Sequence, residues 1–171
     1  MMERVTQRRA GSEDALLLYE LFSTSRAVEF AAMGLTGEQY RPLLEMQYRG
    51  RAMTCAAQYP EAEDWIVCME YGTAVGNYLL AGTSAGPRMI DLAVLPQWRG
   101  KGIGTQVLRQ AAHRSAAAGE ILSLRVMKGN QAMRLYTRVG FQVASEDETS
   151  CEMIWQPPPE RPKTADICRA S

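Results

Sequence analysis

The sequence predicts one α/β domain, a mixed, mainly antiparallel and twisted sheet of about seven strands flanked by about four helices. The first observation is a stretch of three apolar segments over residues 64–96, which the turn-forming sequences YGT and TSAGP interrupt. Such a stretch is typical of an antiparallel meander. The second observation is that strand and helix patterns alternate from residue 96 onward. A meander followed by strand–helix–strand units indicates a mixed sheet with helices on its faces.

The N-terminal third of the chain predicts one strand followed by two helices. The segment RVTQRRA has the pattern of a strand, and Ser12 is a suitable N-cap for a helix that continues through Phe22 or beyond. Thr36 and Gln39 form a capping box at the start of a second helix, which we expect to reach Pro60.

The rest of the chain predicts the remainder of the sheet. The meander DWIVCMEYGTAVGNYLLAGTSAGPRMIDLAVLP leads into a glycine loop, PQWRGKGIG. A helix over residues 103–118, the strand ILSLRVM, a helix over 131–139 and the strands GFQVASE and SCEMIWQ follow. We place the domain over residues 1–156 and a proline-rich tail over 157–171, because PPPERPKTADICRAS has no core pattern.

Composition narrows the class of function. Lys and Arg together number 19, as do Asp and Glu, so no continuous basic stripe for nucleic acid and no strong field toward an anionic membrane is expected. The N-terminus lacks the apolar core of a signal peptide, and no later run approaches the roughly 20 apolar residues of a membrane span. The four cysteines form no CxxC pair and the chain has one histidine, so we expect no metal. We therefore expect a cytoplasmic protein with reduced thiols.

The glycine loop precedes a helix N-terminus, where unpaired N–H groups and about half a positive charge favour an anion. Gly100, Gly102 and Gly104 let the backbone approach a ligand closely, while Arg99 and Lys101 add charge. The spacing fits neither the GxxxxGK[ST] loop of nucleotide triphosphatases nor the GxGxxG fingerprint of dinucleotide-binding folds. By itself the loop is either a phosphate-binding loop or a turn that joins strand to helix.

A second motif, NQAMRLYTRVGF, forms the helix over 131–139. Ala132, Leu135 and Val139 share one face of this helix, and Tyr136 lies at the edge of that face, so its ring packs while its hydroxyl reaches a cleft. Gly140 ends the helix as a C′ residue. The alternative for Tyr136 is an aromatic side chain that only packs.

Together, VLPQWRGKGIG and NQAMRLYTRVGF resemble the GNAT superfamily of acyl-CoA-dependent N-acyltransferases. The resemblance covers about residues 65–155, whereas residues 1–60 resemble the family mainly in being two helices after one strand. It implies that the loop holds the pyrophosphate of coenzyme A, that the preceding strand pairs with the pantetheine arm, and that acetyl-CoA is the co-substrate. The cofactor-binding residues that it implies are Leu92, Ala93, Val94, Arg99, Gly100, Lys101, Gly102, Ile103, Gly104, Thr105, Asn130 and Tyr136.

Acetyl transfer from a thioester to an amine needs a neutral amine, a donor for the developing oxyanion and a proton for the departing thiolate. The resemblance places Tyr136 near the sulfur, where it acts as the general acid, and a backbone N–H around Val94 serves the oxyanion. Asp91, the one charge inside the apolar strand MIDLAVL, and Glu29 are the candidates for the base. The only histidine, His113, falls on the polar face of its helix, which predicts a surface residue.

The acceptor side of the site is predicted on the first two helices. Arg26 and Glu29 extend the core-facing stripe of the first helix into a cleft, and Gln47 on the second helix is a weaker candidate for the same wall. The alternative for Arg26 and Glu29 is an i,i+3 ion pair on a helix end.

The sequence thus predicts an N-acetyltransferase that acts on a primary amine of a small molecule or peptide by direct attack in a ternary complex. An acyltransferase that uses a longer acyl-CoA and a CoA-binding regulatory or interaction module without turnover are the alternatives. Neither nucleic acid nor a membrane is an expected partner, and a homodimer is left open.

Overall fold

The computed structural model describes residues 4–157, except for the side chains of residues 28 and 29. In chain order the elements are β1 (Val5–Arg9), α1 (Ala15–Ala32), α2 (Gly37–Gln58), β2 (Glu63–Met69), β3 (Ala74–Thr83), β4 (Gly86–Val94), α3 (Ile103–Ala118), β5 (Leu122–Met127), α4 (Ala132–Val139), β6 (Gln142–Glu146) and β7 (Ser150–Trp155). They form one seven-stranded sheet in the order β1-β2-β3-β4-β5-β7-β6, and β4 with β5 is its parallel pair. The predicted fold class is confirmed.

The structure has the predicted capping box at the start of the second helix, but not the predicted N-cap of the first helix. The N–H of Thr36 donates to Oε1 of Gln39 at 2.9 Å, as the predicted capping box requires. Ser12, in contrast, does not cap α1, because Ser12–Asp14 form a short 3-10 turn before the helix. The carboxylate of Asp14 stabilises that turn by accepting the Gly11 N–H at 2.8 Å and binding the guanidinium of Arg8 at 2.7 Å.

The two faces of the sheet bury different cores. The larger core lies on the face of α3 and α4, because strand residues such as Tyr78 and Met89 pack there with Val107 and Leu108. A smaller cluster of Phe22, Phe30 and Leu44 joins α1 to α2. Successive strand residues point to opposite faces. The central strands therefore supply apolar side chains to the larger core and every second residue to the side of α1 and α2.

β4 has a β-bulge in its pairing with β3, at the point where its pairing with β5 ends. Leu79 pairs with Asp91 and Leu80 with Met89, so Ile90 is an extra residue on β4. Such a bulge bends its strand and increases the local twist. The pairing of β4 with β5 is confined to Arg88 and Met89. Beyond the bulge, β4 therefore diverges from β5 and leaves a gap in the sheet.

The hydrogen-bond ladder determines which backbone groups of β4 face this gap. The N–H of Leu95 donates to the carbonyl oxygen of Val75 on the β3 side at 2.9 Å. Because antiparallel partners bond at alternate residues, Ala93 also bonds toward β3. The backbone groups of Leu92 and Val94 consequently point away from β3, toward the gap.

The close approach of β3 to β4 requires a glycine at position 76. A Cβ atom there would lie 2.4 Å from the carbonyl oxygen of Ala93, closer than two such atoms can pack. At Gly82 of the same strand, a Cβ atom would have no neighbour within 4 Å. Gly76 therefore keeps β4 in place at the gap.

We predict that Gly76→Ala lowers the free energy of unfolding by about 1–3 kcal/mol, because the added methyl must push β4 away from β3. The measurement is urea unfolding followed by circular dichroism, with Gly82→Ala as the matched control. The control should change stability by less than about 0.5 kcal/mol. Equal losses in the two variants would contradict the close approach.

Candidate active site

A cleft of about 980 Å³ opens where β4 leaves β5. Its floor is the exposed part of β4, and α1 and α2 form the wall on one side. Asn130 and Tyr136 line the end at α4, whereas Tyr59 and Asp64 line the opposite end. The cleft therefore runs from the helix that carries the second sequence motif to the beginning of β2.

The glycine loop contains two residues with left-handed backbone. Gly100 and Gly102 have φ angles of +76° and +79°, in the left-handed region that favours glycine. The first hydrogen bond of α3 runs from the N–H of Gln106 to the carbonyl of Gly102 at 3.0 Å. The N–H groups of Ile103, Gly104 and Thr105 precede this bond, so they are available to an anion.

Gly104 has a different function from the two loop glycines. A Cβ atom on Gly104 would lie 3.1 Å from Cδ2 of Leu135, so the glycine allows α3 to pack closely against α4. Of residues 99–105, all of which the structure describes, Arg99 alone lines the cleft. The loop and the helix start therefore lie beyond the end of the cleft, on its outer side.

The two cations of the loop already have contacts. Nε of Arg99 donates to the carbonyl oxygen of Val94 at 2.8 Å, which joins the loop to the end of β4. Nζ of Lys101 lies 4.5 Å from the ring centroid of Trp98, at cation–π distance. Both side chains remain on the exposed surface beside the helix start. Positive charge is thus held next to the free N–H groups of α3.

Tyr136 lies where its hydroxyl can donate a proton into the cleft. Its ring is half-buried and packs edge-on against Phe141, with the ring centroids 6.0 Å apart. Burial, and to a lesser extent the charge of Asp91, raises the pKa of the Tyr136 phenol above its ordinary value of 10.0. The phenol is therefore protonated at neutral pH, as a general acid must be.

Asn130 caps the start of α4 and also lines the cleft. Its Oδ1 accepts the N–H of Ala132 at 2.9 Å, which caps the first turn of α4. Its amide nitrogen makes no hydrogen bond to the residues that the structure describes, while the residue itself lines the cleft. Its N–H donors are the part of this side chain that can meet a ligand.

Asp91, predicted as a base, is paired. Its carboxylate faces α2 and binds Nη2 of Arg51 at 2.5 Å. Both side chains are about one-third exposed, so the pair lies on the wall of the cleft. A charge in an apolar strand needs a partner or a catalytic function, and the pair supplies the partner. The assignment of Asp91 as base stays a prediction.

Of the three residues predicted for the acceptor wall, Arg26 lines the cleft and Gln47 does not. Arg26 lines the cleft, with its guanidinium carbon 5.7 Å from the ring centroid of Phe22. Glu29 belongs to α1, but its side chain lies outside the described part of the structure. Gln47 does not line the cleft, because the helical turn of α2 places Tyr48 and Arg51 there instead.

His113 is exposed on α3, which confirms the surface position that the sequence predicts. Among the residues from 4 to 157 with described side chains, no group of three His, Cys, Asp or Glu could hold a metal ion. No helix in that range is long and apolar enough to span a bilayer.

Asp64, which was not among the residues predicted from the sequence, lines the cleft from β2. Its Oδ1 accepts a hydrogen bond from Nδ2 of Asn77 at 2.9 Å. Burial raises the pKa of the Asp64 carboxyl, while Asn77 and the charge of Arg51 act in the opposite direction. The alternation of Asp64 with Ile66 and Cys68 along one strand was the signal, because it places the carboxylate on a largely buried face.

The sequence of this region matches a known domain family. Residues 61–143, from just before β2 to the beginning of β6, match the model of the acetyltransferase (GNAT) domain. This segment of the chain is a GNAT acetyltransferase domain. The match contains the glycine loop, the β4 floor of the cleft and the helix with Tyr136, whereas the wall formed by α1 and α2 precedes the matched residues.

Solved structures share the GNAT fold across the whole described chain. PaiA N-acetyltransferase from Thermoplasma acidophilum in complex with coenzyme A is 18% identical, with a TM-score of 0.68 over 90% of this chain and 99% of that one. Ard1 from Thermoplasma volcanium is 18% identical, with a TM-score of 0.61 over 90% and 98%.

A chimera of spermidine N-acetyltransferase SpeG from Vibrio cholerae and hSSAT is 14% identical, with a TM-score of 0.62 over 89% and 95% of the two chains. At these identities the likeness concerns the fold. A sequence comparison with curated proteins found no match.

We predict that the phenol of Tyr136 ionises above pH 10, because burial disfavours the phenolate. The measurement is an ultraviolet difference titration of the wild type against Tyr136→Phe. The phenolate absorbance that the substitution removes should reach its midpoint above pH 10. Since the folded protein keeps this phenol protonated, its contribution to stability should be full below pH 10 and fall as pH rises further.

Tyr71→Phe, which removes the hydroxyl of a side chain that is 95% exposed, supplies the reference difference spectrum. Coincident titration curves for the two variants would show that the environment of Tyr136 is not the buried one described.

Proposed function

We propose that this GNAT protein transfers an acetyl group from acetyl-CoA to a primary amine of a small molecule or peptide, by direct attack in a ternary complex. The observation that carries the proposal is the open edge of β4, which lies between Tyr136 and the glycine loop at the start of α3. Tyr136, the exposed part of β4 and Arg99 of the loop all line this one cleft.

The residues of the cleft and the loop fit coenzyme A. The pantetheine arm is extended and contains amides, so it can add to the backbone groups of Leu92 as a further strand would. The carbonyl of Val94 already accepts a hydrogen bond from Arg99, which leaves the N–H of Val94 for the thioester. Its pyrophosphate suits the N–H groups of Ile103, Gly104 and Thr105, with the positive charges of Arg99 and Lys101 beside them. The glycine at position 102 keeps the approach to these groups clear of a side chain.

Acetyl-CoA supplies an acyl carbon that is activated as a thioester. We infer that the N–H of Val94 stabilises negative charge on the thioester oxygen, because its backbone faces the gap beside Tyr136. The new C–N bond forms as the C–S bond breaks. The hydroxyl of Tyr136 then donates its proton to the leaving thiolate and regains one from the attached nitrogen, while the proton lost by the original ammonium reaches solvent.

The acceptor enters from the side of α1 and α2 in this proposal. Arg26, Tyr48 and Arg51 form its wall, and Glu29 remains a candidate to orient the amine or accept its proton through water. A CoA-release assay with a panel of primary amines tests the proposed activity. Acetyl-CoA binding without turnover of any amine would indicate a CoA-binding module instead.

We predict that millimolar acetyl-CoA raises the thermal midpoint, since ligand at a hundred times its Kd stabilises a fold by about 2.7 kcal/mol. Gly102→Val should abolish this shift, because a side chain would obstruct the N–H groups of α3 and strain the left-handed backbone.

Gly119→Val is the matched control, because Gly119 ends the same helix with a φ of +69°. It should lower the basal midpoint in the same way but keep the shift with acetyl-CoA. Retention of the full shift in Gly102→Val, measured by differential scanning fluorimetry, would overturn the assignment of the pyrophosphate site.

We predict that Tyr136→Phe lowers kcat by about 10²-fold, because it removes the proton donor and leaves the ring in place. The Kd of acetyl-CoA, measured by isothermal titration calorimetry, should stay within about twofold, since the backbone supplies the proposed contacts with the cofactor. An unchanged single-turnover rate would mean that water supplies the proton.

A further inference from the structure

The cleft has an acidic end that the proposed acetyl transfer does not use. Asp64 on β2, Leu79 on β3 and Asp91 on β4 are partners in adjacent register positions, so they form one row across the sheet. Neighbouring strands lie about 4.8 Å apart, which places the backbone of Asp64 about 10 Å from β4. Asp64 thus lies at a distance from the open edge where the thioester would bind.

The carboxylate of Asp64 has no direct cationic partner among the described residues. Arg51, whose charge lowers the pKa of Asp64, forms its ion pair with Asp91 at 2.5 Å. Asp64 instead accepts a hydrogen bond from the neutral amide of Asn77 at 2.9 Å. Because Arg51 is paired with Asp91, Asp64 is a carboxylate of the cleft with no ion pair among the described residues.

The surroundings of Asp64 make this charge costly without a ligand. The side chain is half-buried, and burial raises the pKa of its carboxyl. The groups that face it are Tyr48 and Arg51 from α2, Asn77 from β3 and Asp91 from β4. The charge of Asp64 in turn raises the pKa of the Tyr48 phenol, after burial. A cation bound here would offset the desolvation of the carboxylate.

We propose that Asp64 binds a second, positively charged group of the acceptor, so that the substrate is an amine with a second cationic nitrogen several methylene groups away. The proposal rests on the proposed acetyl transfer. The reacting nitrogen must be neutral when it attacks beside β4. The nitrogen at Asp64 must be charged to pair with it, so the two positions require different nitrogens. Leu79, between the two acidic residues of the row, offers an apolar surface to the connecting chain.

Three primary amines of the same chain length test this specificity in a CoA-release assay. They are n-butylamine, with no second charge, putrescine, with a second ammonium, and γ-aminobutyrate, with a carboxylate in its place. We expect kcat/KM to be at least about tenfold higher for putrescine than for n-butylamine, and lowest for γ-aminobutyrate. Asp64→Asn should lower kcat/KM for putrescine by about tenfold and leave that for n-butylamine within about twofold.

Glu61→Gln is the matched control, because Glu61 is an exposed acid near Asp64 that does not line the cleft. It should leave the preference for putrescine unchanged, which excludes a long-range effect of net charge. Equal kcat/KM for putrescine and n-butylamine in the wild type would overturn the proposal. So would a preference for γ-aminobutyrate, or an equal loss for all three amines in Asp64→Asn.

Failure of the proposed acetyl transfer gives a different result. In that case no amine releases CoA, and acetyl-CoA does not raise the thermal midpoint. Isothermal titration of putrescine and n-butylamine into the wild type and Asp64→Asn then tests the acidic end directly. Putrescine binding that depends on Asp64 supports the proposed site, whereas equal binding of the two amines, or none, overturns it.

Discussion

The one-residue bulge at Ile90 is the constraint on which the rest of the site depends. It ends the pairing of β4 with β5 after Met89, so the central strand of the sheet has one paired edge and one open edge. An open edge inside a sheet would be unfavourable without a partner, because backbone N–H and C=O groups need hydrogen bonds. Here it forms the floor of the cleft, and Gly76 holds the strand against β3 so that only the other edge is free.

The charges around the cleft divide into neutralised and uncompensated groups. Arg51 extends from α2 to Asp91 and pairs with the carboxylate whose charge raises the pKa of the Tyr136 phenol. Asp64 keeps its charge with a neutral amide as its hydrogen-bond partner. Free N–H groups and cations are at the opposite, outer end, at the start of α3. The cleft therefore has free N–H groups and cations beyond one end, and a carboxylate without a described ion pair at the other end.

Much of the site was predictable because it depends on local sequence. The left-handed backbone at positions 100 and 102 favours glycine. The position of Tyr136 at the edge of the packed face follows from the periodicity of a short helix that ends at Gly140. The acceptor wall was less predictable. Gln47 was a candidate, but the rotation of α2 brings Tyr48 and Arg51 to the cleft, and helix rotation depends on packing rather than on one short pattern.

The sequence by itself determined the order of the elements, the two motifs and the fold class, because periods of 2 and 3.6 residues and the glycine turns are encoded by neighbouring residues. Only the tertiary structure decided which partners the charged residues have. Asp64 and Asp91 are brought into one row by strand register, and Arg51 reaches that row from a helix 40 residues before Asp91 in the chain. Contacts of this kind depend on register and helix packing between distant segments, which no local pattern specifies.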